Sequence, residues 1–215
     1  MTRKSAINRT SVADQVFEKL HGAILSGEIQ QGSRIVEVQI AKSLGTSRAP
    51  VREAVSRLMA AGLVENRAGH GPSVTQMTLE HVSKVYRIRV AVERAALEEI
   101  GRQPSPPSVE ALRKLVSRMT ELARQPRDKA FLAFVETHME FHKTLWAMSN
   151  NEYIEKVANQ IGDLVQLALT VDNARIKDLQ RIAADHVPLV DAIAADDMPL
   201  AIALMEEHAQ LRIRE

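Results

Sequence analysis

Where the helix breakers fall constrains this chain more than any other feature. Gly and Pro are dense before about residue 75 and thin beyond it, so short elements on tight turns give way to long helical patterns. Ser11 and Asp14 have the spacing of a capping box. Ala13, Val16, Phe17, Leu20 and Ile24 then line one helical face, which Gly27 ends. The turn QQGSR precedes a short helix over Glu37–Leu44 that stops at Gly45. Ser47 is placed to cap a third helix with Pro50 in its first turn, where no backbone donor is needed. That helix runs to about Ala61 and Gly62 stops it. LVEN and PSVTQ are short alternating stretches on either side of RAGHG, a hairpin with glycines at its tip.

From Thr78 onward the pattern is helical throughout. Expected helices cover 79–102, 108–124, 128–148, 151–175, a shorter piece ending near Ala195, and 198–213, with RQPSPPS as the clearest break. The expected fold is therefore mainly α. A winged helix-turn-helix occupies residues 11–76 behind a flexible basic arm over 1–10, and an all-α antiparallel helical bundle occupies 77–215.

Composition narrows the classes of function. Cysteine is absent, which excludes a disulfide framework and thiolate chemistry. No apolar run approaches the ~18 residues of a membrane span, and MTRKSAINRT lacks the apolar centre of a signal peptide, so a cytoplasmic protein is expected. The net charge of +1 hides an asymmetry: residues 1–75 hold ten Lys and Arg against six Asp and Glu, and the remainder eighteen against twenty-one. A basic first third on an acidic remainder points the first part toward a polyanion.

In a winged helix-turn-helix the second helix of the motif enters the major groove through its N-terminal side chains. Here those are Ser47, Arg48, Ala49 and Arg52. Arg48 and Arg52 lie one turn apart, opposite Val51, Val55 and Leu58, and Arg matches the paired acceptors of guanine while neutralising phosphate. Two exposed arginines are, by themselves, equally ordinary solvated charges; the turn, helix and hairpin around them favour double-stranded DNA.

The run GEIQQGSRIVEVQIAKSLGTSRAPVREAVSRLMAAGLVENRAGHGPSV resembles the DNA-binding head of GntR-type bacterial transcription regulators. SRAPVREAVSRL, GLVE and the wing-tip glycine carry the likeness, over about 65 residues. The resemblance implies that Arg48 and Arg52, with Ser47 and Ala49 beside them, contact operator DNA. It also implies that His70 and Gly71 bring the wing to the minor groove. The preceding helix has Val38 where the family often has arginine, which leaves Arg34 to touch phosphate.

The second part poses a question of its own at THMEFH. His138 and His142 lie one turn apart on the stripe of Phe131, Phe134, Val135, Leu145 and Trp146, where a core would take leucine. Histidines at i and i+4 share a face and can converge on one ion. His208 continues the inward stripe Ala201, Leu204, Met205 and Leu211, and His186 lies shortly before Val190 and Ile193. The plainer alternative makes each a buried histidine satisfied by a neighbour.

VYRIRVAVERAA, HMEFHKTLWAMSNNEYI, DHVPLVDAI and MEEHAQL resemble the FCD-type effector-binding domain of the FadR-like branch of the same family. In metal-binding members an aspartate and a histidine four apart join two later histidines. His142, His186 and His208 match the histidines, and His138 stands where the family has aspartate. The resemblance implies a divalent ion on His138, His142, His186 and His208, a small carboxylate effector held by the ion and Arg89, and a homodimer formed through this domain. Four imidazoles suit zinc or nickel better than oxygen-preferring ions. For Arg89 an intrahelical pair with Glu93 is the alternative.

Rival functions fare less well. A zinc hydrolase pairs its metal with a carboxylate base, and no H-E-x-x-H surrounds His138 or His142. A di-iron bundle needs Glu three residues before His, where this chain has Val135, Met139, Ala183 and Met205. The expectation is a regulator rather than an enzyme. A metalloregulator, with the ion itself as signal, stays open.

Overall fold

The computed structural model describes residues 11–67, 69, 71–105 and 108–214. The arm expected over 1–10 and the wing residue His70 lie outside the described residues. The chain divides into two compact units, Met1–Gln76 and Met77–Glu215.

The first unit is a winged helix-turn-helix. Helix α1 spans Val12–Leu25 behind the expected capping box: Ser11 Oγ accepts from the Asp14 amide at 3.0 Å, and the Asp14 carboxylate accepts from the Ser11 amide at 2.9 Å. Those bonds, and the Arg57 guanidinium 2.7 Å away, hold the Asp14 carboxyl below the usual aspartate range. Phe17, expected on the apolar face, is half-buried, and Arg57 stacks on its ring at 4.2 Å.

Helix α2 (Glu37–Ser43) and helix α3 (Arg48–Ala60) are joined by a turn in which Gly45 takes a positive φ of 62°. Val51, Ala54, Val55 and Leu58 of α3 are buried, and α3 packs on α1 and α2. Ser47 stands at the N-cap with extended backbone, but its side chain makes no capping hydrogen bond, contrary to expectation. Strand β1 (Val64–Arg67) pairs antiparallel with β2 (Gly71–Val74) in the register Val64↔Val74 to Arg67↔Gly71. An isolated bridge from Arg34 to Ser73 extends the wing. Gly71 opens β2 with a φ of +74°, while a Cβ there would meet open space, so the backbone rather than crowding calls for glycine.

The second unit is all helical: α4 (Leu79–Ile100), α5 (Glu110–Ala123), α6 (Arg127–Met148), α7 (Glu152–Arg175), α8 (Leu179–Ala184), α9 (His186–Ala194) and α10 (Met198–Arg214). Helix α4 packs against α6, α7 and α10, and α5 packs against α6, α8 and α9. Leu97, Ile100, Leu112, Met119, Phe134, Phe141, Leu145 and Ile193 form the centre of the core.

The single short helix expected to end near Ala195 is two. Asp185 ends α8 and begins α9, which places Pro188 in the first turn of α9, where its missing N–H costs no intrahelical bond. Helix α4 stops at Ile100 rather than 102, and Gly101 lies so near α10 that a Cβ would come within 2.7 Å of Met198 Cγ. Among the described residues no helix is long and apolar enough to cross a membrane.

Candidate metal centre and DNA-reading helix

In the first unit, burial of one face of α3 leaves Arg48, Ala49 and Arg52 exposed beside Ser47. Glu37, at the start of α2, lies between the two arginines: its Oε2 is 3.9 Å from Arg48 Nη2 and 3.5 Å from Arg52 Nε. Arg34 and Val38 are exposed as well. Ser47, Arg48, Ala49 and Arg52 thus share the start of one helix, and Arg34 joins the wing through its bridge to Ser73.

In the second unit, His138, His142, His186 and His208 are all buried. His138, His186 and His208, from α6, α9 and α10, offer ligand atoms that all lie within 4.8 Å of one another. The ring centroids are 4.8 Å apart for His138 and His186 and 4.5 Å apart for His186 and His208. His142 adjoins the trio, its ring centroid 4.9 Å from that of His138, but its Nδ1 is drawn to Glu93 Oε1 at 2.7 Å.

The Nδ1 atoms of all four rings face outer partners. His186 Nδ1 lies 2.8 Å from the Ile182 carbonyl, which can only accept, so that nitrogen carries the proton and Nε2 the lone pair. His208 Nδ1 faces the Asp185 carboxylate at 3.9 Å, and His142 Nδ1 faces Glu93. His138 Nδ1 lies 3.2 Å from the Asn173 carboxamide, whose Oδ1 has no hydrogen-bond partner among the described residues. Turning that carboxamide gives Oδ1 a donor in His138 Nδ1–H and leaves the Nε2 lone pair for an ion. An outer carboxylate, carbonyl or amide on one ring nitrogen, which leaves the other for an ion, is how metal-ligating histidines are held. The residues present therefore fit a divalent ion.

Arg89 adjoins this cluster from α4. It is fully buried, its Nε is 3.5 Å from Glu93 Oε1, and its guanidinium lies 4.2 Å over the Tyr86 ring. The pair with Glu93 is thus present, but Nη1 and Nη2 have no hydrogen-bond partner among the described residues. A buried guanidinium with idle donors is costly, and an anion relieves that cost. The Tyr86 hydroxyl donates to Asp172 at 3.0 Å. Asp172 in turn lines a cavity of about 410 Å³ with Arg175, Lys177 and Arg181. Asn173 and Asp185 escaped the sequence reading, since each meets its histidine only through tertiary packing. Glu93 was visible there only as a partner of Arg89.

A winged helix-turn-helix head on a helical body with a buried histidine cluster defines a DNA-binding transcription regulator. Comparison with known families bears this out. Residues 12–74 match the bacterial regulatory proteins of the gntR family, and residues 84–211 match the FCD domain. The chain belongs to the GntR family of transcription regulators, in its FadR-like branch with an FCD domain, and is not an enzyme. A probable D-xylose utilization operon transcriptional repressor of Paenarthrobacter nicotinovorans is 31% identical over 187 residues, spanning 87% of this chain and 80% of that one. The gluconate operon transcriptional repressor of Bacillus licheniformis is 26% identical over 192 residues, 87% of this chain and 77% of that one. The same fold is seen in E. coli McbR/YncC, with a TM-score of 0.75 at 20% identity over 95% of this chain and 96% of that one.

Proposed function

We propose that the helical unit binds one divalent ion, zinc or nickel, through His138, His142, His186 and His208, and a small carboxylate effector through that ion and Arg89. Binding changes the affinity of a homodimer for operator DNA in the cytoplasm. The observation that carries this reading is the set of outer partners at Nδ1: Asn173, Glu93, the Ile182 carbonyl and Asp185 each engage one of the four rings. The ion supplies positive charge and an open position for an anion; four imidazoles favour zinc or nickel over harder ions. Arg89 clamps the carboxylate with its two idle Nη groups. The cavity beside Asp172 carries Arg175, Lys177 and Arg181 against Asp172 and Asp178, a lining that is positive on balance and favours the approach of an anion.

On the DNA side, Arg48 and Arg52 read base edges, Ser47 and Ala49 fit the groove beside them, and Arg34 neutralises phosphate. Gly71, at the start of β2, brings the wing to the minor groove. The head covers 11–76 and the effector-binding and dimerisation domain 77–215. The dimer forms through apolar side chains left exposed on α4 and α7: Ile88 at 53%, Tyr153 at 72% and Val157 at 47% exposure. A metalloregulator answering to the ion alone accounts less well for a buried Arg89 with two idle donors.

A thermal-shift screen of small carboxylates, gluconate among them, run with and without chelator, tests the reading. The expected result is one class of carboxylate whose stabilisation disappears with chelator. Stabilisation indifferent to chelator, or none from any carboxylate after metal reconstitution, overturns it.

A further inference from the structure

Glu93 touches both halves of the proposed site. It is fully buried on α4, and a single oxygen, Oε1, lies 2.7 Å from His142 Nδ1 on α6 and 3.5 Å from Arg89 Nε one turn away on its own helix. Burial raises its pKa, but His142 and Arg89, with support from the nearby Trp146 indole, bring the net shift below the usual glutamate value. By geometry, a single Glu93 oxygen stands between an imidazole and a guanidinium, one carboxylate shared by two neighbours. The all-histidine ligand set lacks the negative charge that an aspartate at position 138 would bring, and Glu93 places one on the far side of His142.

We propose that Glu93 couples the metal centre to the anion clamp by dividing its charge between His142 and Arg89. The inference rests on the metal and carboxylate reading above. In the metal-free protein Glu93 acts as an internal competitor for Arg89, standing where an incoming carboxylate would act. An ion on His142 Nε2 polarises the ring, makes Nδ1–H a stronger donor and draws Glu93 away from Arg89. Arg89 then presents its full charge to an anion. Metal and carboxylate thus bind with positive cooperativity, each raising the affinity of the other by the same factor.

Glu93→Gln separates this role from a merely structural one, because its two expected effects have opposite signs. Gln keeps an oxygen that can accept from His142 Nδ1–H but removes the charge. Zinc affinity, measured by competition with a chromophoric chelator, should fall about tenfold or more. Acetate binding to the zinc-free protein should tighten about fivefold, since Arg89 has lost its competitor. Trp146, the only tryptophan in the chain, lies beside Glu93, so its fluorescence reads both titrations from within the site.

If Glu93→Gln does not fold, Glu93→Asp keeps the charge while withdrawing it by one methylene from His142. Zinc should then weaken several-fold, with the melting temperature of the metal-free protein near that of wild type. Wild type that binds zinc, with a Gln variant in which both affinities fall together or neither moves, overturns the coupling and leaves the metal centre standing. For the Asp variant, unchanged zinc affinity does the same. Wild type that binds neither zinc nor nickel overturns the metal reading itself and the coupling with it.

Discussion

Arg52 is exposed because Val51, Ala54 and Val55 commit the opposite face of α3 to the core, and Glu37 lies 3.5 Å from its Nε. Arg52→Ala should leave the fold intact and weaken operator binding by ~1–3 kcal/mol, measured by mobility shift at fixed salt. Arg89 sits at the other extreme, fully buried with its Nε 3.5 Å from Glu93. Arg89→Ala should abolish the influence of a carboxylate on DNA binding while zinc still binds, read by the same shift assay and a metal titration. The two arginines were unequally legible. Helical periodicity alone placed Arg48 and Arg52 on a solvent face, whereas Arg89 followed only from the family likeness. The histidines were legible because polar rings on an apolar stripe are conspicuous. Their partners were not: Asn173 lies 35 positions from His138, and no periodicity links residues on different helices.

Boundaries of the elements followed local chemistry where one residue decides them. The Ser11–Asp14 box starts α1 as its spacing required. Asp14 has a folded-state pKa below its unfolded one, so its contribution is present above the unfolded pKa and lost as pH falls through the folded value. Asp14→Asn should therefore flatten the acid limb of the stability profile below about pH 4, followed by circular dichroism, with little added dependence near neutrality. Ser47 had the right spacing too, yet makes no capping bond, because position alone does not set a side-chain rotamer. The break at Asp185 was missed since the apolar pattern runs on through α8 and α9; Pro188 marks it, one turn late. Gly101 shows what periodicity cannot carry. Its role is the approach of α10, and Gly101→Ala should cost about 1–3 kcal/mol through contact with Met198, measured by chemical denaturation.

At the scale of the whole molecule, the division into a head rich in turns and a long-helix body was legible from the placement of Gly and Pro. Topology within the body was not, because amphipathic stripes state which face is buried and not which helix covers it. The histidines join α6, α9 and α10, elements far apart in sequence, and an ion there would contribute its binding energy to folding. Elemental analysis of the purified full-length protein, as isolated and after reconstitution, tests this most directly. We expect about one zinc or nickel per chain, lost in His186→Ala together with several degrees of melting temperature. Wild-type protein that retains no divalent metal even after reconstitution would contradict the metal centre and leave four histidines held only by their neighbours.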